Sequence, residues 1–183
     1  MRPCIATIAA GLASLMALGL AACAAGGREA TDANVACERT DIGIAFISEG
    51  ERPDRDKVEA SARQLTAILA SDAFARRCEA STMNRTDGRT EREVCAHLAC
   101  AGRQIVRVAL YRDEDMGTIA FEKKGAVFVN AAKARAGTVG NLAHEFAHVL
   151  GYSHRSFWGF RRERSVPYVV GKLVEAAHPE PTP

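Results

Sequence analysis

The chain has few of the residues that usually dominate a large core or a charged interface. Its 183 residues include one tryptophan, and aromatic residues make up 6% of the total. Lysine and arginine number 24 against 22 acidic residues, a net charge of +2, so no excess of one sign argues for nucleic acid as a partner. There is no C-x2-C pair, the usual half of a structural zinc knuckle. No internal repeat is visible, and the apolar or small stretch at residues 4–20 is marginal for a membrane span. Histidine is scarce as well, five in all, so three of them within residues 144–154 is informative.

The first segment reads as a targeting sequence. Met1-Arg2 gives a positive start, and residues 4–20 suit the apolar centre of a signal peptide. The run ends at Leu20-Ala21-Ala22-Cys23, which resembles a bacterial lipoprotein signal. That resemblance implies cleavage before Cys23 and a lipid on it, and Ala24 in place of aspartate points to a Gram-negative outer membrane. The alternative is an ordinary secretory signal with Cys23 incidental. Residues 1–22 are thus expected to be a signal peptide and 23–36 a lipidated, flexible tether. A single domain is expected over 37–183. Four cysteines fall in that domain, Cys37, Cys78, Cys95 and Cys100. In an exported chain an even number favours disulfides over a second zinc site, with three pairings open.

Periodicity predicts an α+β domain. Residues 41–48 read as a first strand and 49–56 as a charged turn containing Pro53. Val58, Ala62, Leu65, Leu69 and Ala73 predict one amphipathic helix over 57–76. Residues 79–94 are polar and read as a loop. Strands follow at 104–111, 117–122 and 126–130, the last two joined in a hairpin through Lys123-Lys124-Gly125. A helix over about 138–150 places Val139, Leu142, Ala143, Phe146, Val149 and Leu150 on one face and His144 and His148 on another. A last helix starts at Pro167.

Residues 144–154 read HEFAHVLGYSH and fit H-E-x-x-H-x-x-G-x-x-H. Histidines four apart stand one turn above each other on a helix and can share one ion. Gly151 can adopt a positive φ, stop the helix and turn the chain so that His154 returns as a third ligand. Three protein ligands leave a fourth position for water, as at a catalytic zinc. Glu145, beside the first ligand, is the expected general base. From this chain's composition, a chance match at some position has a probability on the order of 10⁻⁵.

The segment resembles the metzincin zinc endopeptidases. That resemblance implies a zincin-type twisted mixed sheet with a backing helix and an active-site helix. It implies that 117–122 is an antiparallel edge strand lining the cleft, with 126–130 as its inner neighbour. It also implies Zn2+ as cofactor and hydrolysis of peptide bonds by a zinc-bound water that Glu145 activates. The chain departs from the family in having no methionine after the motif, where a methionine turn would lie. Ser165-Val166-Pro167-Tyr168 is the nearest substitute, and with only residues 155–183 beyond His154 the C-terminal subdomain must be very small.

Tyr168 could hydrogen-bond an oxyanion or simply pack as a half-buried tyrosine. The stretch 155–164, with four arginines among Phe157, Trp158 and Phe160, could select acidic or apolar substrate side chains, touch lipid headgroups, or be a solvated loop. His97 and His178 read as plain surface or loop histidines; should His154 not be the third ligand, Glu175 or His178 is next in line. The expected partners are a peptide or protein substrate and a membrane reached through the lipid, with no nucleic acid, for a monomeric chain. The competing function is a zinc-binding lipoprotein without peptidase activity.

Overall fold

The structure, a computed structural model, describes residues 37–134, 138–154 and 159–177, and for 159–161 the backbone alone. The expected signal and tether, Cys23, Phe157, Trp158 and His178 lie outside the described residues.

Four strands form one mixed sheet: β1 (Asp41–Phe46), β2 (Arg103–Tyr111), β3 (Ala120–Lys123) and β4 (Ala126–Asn130), in the order β1-β2-β4-β3. β1, β2 and β4 run parallel, while β3 pairs antiparallel with β4 at the edge. The hairpin between β3 and β4 turns on Lys124 (φ 53°) and Gly125 (φ 73°), a two-residue turn with both φ values positive, which matches the strand twist. Alternation sets the faces: Ile42, Val106, Val108, Val127 and Val129 are buried in the core, whereas Ile105 on the opposite face is 51% exposed.

Five α-helices are present among the described residues: α1 (Arg52–Leu69), α2 (Asp72–Glu79), α3 (Glu91–Ala99), α4 (Thr138–Val149) and α5 (Val166–Ala177), with a 3₁₀ turn at Gly159–Arg164. α1 buries Val58, Ala62, Leu65 and Leu69, the expected stripe. The helix begins earlier than expected, however, because Pro53 sits in its first turn, where a missing N–H costs nothing. The single helix expected over 57–76 is two. Ser71 breaks it by accepting from the Phe74 N–H at 3.1 Å, which caps α2 and turns Phe74 inward while Ala73 faces solvent.

The loop expected over 79–94 also needs correction. From Glu91 it is helical, and a reciprocal capping box starts the helix: Glu93 N–H donates to Thr90 Oγ1 (3.3 Å) and Thr90 N–H to Glu93 Oε2 (2.8 Å). Disulfides Cys37–Cys100 and Cys78–Cys95 hold this helix just past its C-terminal end and at its middle. The first ties its C-cap residue to the segment leading into β1, and the second ties it to α2.

Candidate metal centre

α4 carries the first two histidines and packs against α5 through glycine. A Cβ on Gly171 would lie 3.0 Å from the Gly140 carbonyl oxygen and 3.4 Å from His144 Cβ. The two helices therefore touch almost backbone to backbone beside His144. Val139, Leu142, Ala143 and Phe146 are buried as expected, leaving His144 and His148 half-buried on the face toward solvent, with ring centroids 5.1 Å apart.

The helix ends in a Schellman arrangement. Gly151 has φ +94°, its N–H donates to His148 O (2.9 Å), and Tyr152 N–H donates to Ala147 O (3.0 Å). The reversal brings the His154 ring to 4.8 Å from His148 and 5.6 Å from His144, centroid to centroid. The ligand atoms of the three histidines all lie within 4.8 Å of one another, close enough to hold one metal ion. Glu175, the fallback ligand, is exposed on α5 and is not part of this group.

His148 Nδ1 lies 2.7 Å from the Tyr152 carbonyl oxygen. A carbonyl can only accept, so Nδ1 carries the proton and Nε2 keeps its lone pair for a metal. Burial, then the mutual proximity of the rings and of Arg162, pushes His144 down to about 4, and burial also lowers His154. Neutral imidazoles of this kind are the form that binds metal.

Glu145 is 5% exposed. Burial raises its carboxyl to about 7, against a backbone hydrogen bond from Glu122 on β3. Its Oε2 is buried without a hydrogen-bond partner. A buried polar oxygen is costly to leave unpaired, and this one belongs to a residue lining the same cavity as His144 and His154. Three imidazole nitrogens with an unsatisfied carboxyl oxygen beside them fit a divalent cation and its water; imidazole suits zinc, copper, iron or nickel.

The cavity measures about 510 Å³ and runs between residues 117–122 on one side and His144, Glu145, His154, Arg162 and Tyr168 on the other. Tyr168, in the first turn of α5, stands edge-on to His144 at 4.6 Å. It is half-buried and lines the cavity, so its packing and its access to a ligand coexist. Arg162 lies over the Tyr168 ring at 5.2 Å and has no carboxylate partner among the described residues. Ser165, Val166 and Pro167 are buried, and α5 starts at Val166.

One residue of the neighbourhood has no signal in the sequence pattern. His97, expected on the surface or in a loop, is on α3, half-buried, with Nδ1 2.9 Å from the hydroxyl of Tyr152. The two are 55 positions apart, and no local spacing links them. Comparison with family models, curated proteins and solved structures finds no match, so the metal centre rests on its own geometry.

Proposed function

We propose that the protein is a zinc-dependent endopeptidase of metzincin-like design. The observation that carries this reading is the buried Glu145 carboxyl, with one oxygen unpaired, beside three converging imidazoles at the wall of an open cleft. A zinc ion held by His144, His148 and His154 would supply a Lewis acid that acidifies water and polarises a carbonyl. Glu145, with its proton affinity raised by burial to about 7, takes the proton from the attacking water and passes it to the leaving amine. β3 is the edge strand of the described sheet and lies along the cleft, where an extended peptide can add by main-chain hydrogen bonds. Tyr168 is positioned beside His144 to donate to a developing oxyanion. Arg162 gives the opposite wall a cation, which favours substrates with a carboxylate near the scissile bond.

A binding protein without peptidase activity is the second reading; it would gain nothing from a buried carboxyl with an unpaired oxygen next to the ligands. Digestion of a diverse peptide library by the mature protein decides between them. Cleavage that a chelator abolishes and added zinc restores is the expected result. A zinc-loaded protein that cleaves nothing would establish the binding role.

The two disulfides point to an oxidising compartment, and no described helix is long and apolar enough to cross a membrane. Anchoring through a lipid on Cys23, at an outer membrane, is part of the same proposal. Cys23→Ser should release the protein from the membrane fraction or block its processing. Unchanged fractionation and an unchanged N-terminus would remove the anchor from the picture.

A further inference from the structure

Tyr152 occupies a variable position of the H-E-x-x-H-x-x-G-x-x-H segment, yet it is tied down at three points. Its ring is 1% exposed, packed in the core. Its hydroxyl lies 2.9 Å from His97 Nδ1, with the two rings edge to face at 5.6 Å. Its main chain donates to Ala147 O and accepts from His148 Nδ1 at 2.7 Å. The residue before it, Gly151, has the widest backbone freedom of any residue, and the side of that glycine is open, with nothing within 4 Å of where a Cβ would be. The Tyr152 carbonyl, one peptide plane further on, must hold one direction if it is to fix the His148 ring.

We propose that Tyr152 and His97 are positioning residues of the metal centre: the His97–Tyr152 hydrogen bond anchors the ring whose main-chain carbonyl sets the tautomer and orientation of His148. This proposal rests on His148 being a metal ligand, and it adds two residues that touch neither the ion nor substrate. The anchor is firm because His97 is on α3, whose Cys95 is bridged to Cys78 and whose C-terminal Cys100 is bridged to Cys37. The same Tyr152 leads by one residue into Ser153 and then His154, so the anchor limits the path of the third ligand as well. Outer partners of metal-bound histidines typically govern metal affinity by about 10- to 100-fold.

The test uses the full mature protein and three variants: Tyr152→Phe, which keeps the ring and removes the hydroxyl; His97→Ala; and His97→Gln, which retains a polar partner. Zinc affinity is read by competition with a chelator, and the ring ¹⁵N shifts of His148 are read in metal-free protein. Thermal melts of metal-free protein show that each variant is folded. Tyr152→Phe and His97→Ala should weaken zinc binding by about 10- to 100-fold, and His97→Gln should recover most of that. In the parent, His148 should be protonated at Nδ1, and this single tautomer should give way to a mixture in the first two variants. Unchanged affinity in a folded Tyr152→Phe protein would overturn the proposal. So would a parent His148 protonated at Nε2, a result that needs no variant to fold. A parent that binds no zinc would instead remove the metal reading, while the ¹⁵N shifts would still decide whether His97 and Tyr152 orient His148.

Discussion

Replacing Glu145 by glutamine removes a base and leaves its volume. The side chain is not among the three converging histidines, and glutamine fills the same buried space on α4, so Glu145→Gln should bind zinc and fold as the parent does. Turnover should fall by about 10² to 10⁴. Peptide hydrolysis beside elemental analysis checks both halves, and full activity in the variant would show that the proton goes elsewhere. Gly151 separates strain from crowding in the same way. A Cβ there meets no atom within 4 Å, so Gly151→Ala costs backbone strain alone at φ +94°. The expected loss is about 1–2 kcal/mol, with asparagine at the same position recovering part of it. Chemical denaturation of the three proteins measures this. The converging histidines were legible in the sequence because helix geometry and one glycine turn place them within eleven residues, 144–154. His97 was not, because its partner Tyr152 is 55 positions away and only the tertiary fold joins them.

Between elements, α4 and α5 cross with little room at Gly140 and Gly171. Alanine at 171 is the better helix former by about 1 kcal/mol. Its methyl would nevertheless sit 3.0 Å from the Gly140 carbonyl oxygen, on backbone that cannot swing aside, and overpacking of that kind costs about 1–3 kcal/mol. Steric cost should win. Gly171→Ala is therefore expected to lower stability and also to weaken zinc binding, since the displaced wall lies against His144. A melt with and without zinc reads both, and a stabilised variant would mean the crossing can open freely. Helices were harder than ligands to read from sequence. The apolar stripe of α1 is regular, but Ser71 ends it with a side-chain hydrogen bond that periodicity does not register. α3 is hidden in a polar stretch, and its only local sign is the Thr90-x-x-Glu93 capping box.

For the molecule as a whole, the two disulfides enclose loops with sequence separations of 63 and 17. Loop entropy alone gives them about 4 and 3 kcal/mol respectively, a large share of the stability of a domain this size. Thiol labelling of the native exported protein should find all four cysteines blocked, and reduction should lower the melting temperature markedly. Free thiols at Cys78 and Cys95 would contradict the pairing. The α+β class agrees with the sequence pattern, and the antiparallel edge strand agrees with what the family resemblance implies, although it spans Ala120–Lys123 and not 117–122. The strand order β1-β2-β4-β3 and the choice among three disulfide pairings depend on contacts between distant segments, which residue spacing does not encode. α3 is where these two kinds of long-range contact meet. It is stapled by both bridges, and it carries His97, the anchor of Tyr152. Under the proposed function, reduction should therefore reach the metal centre through Tyr152: with both bridges open, the helix that pins its ring loses its two covalent ties, and zinc affinity is expected to fall together with the melting temperature.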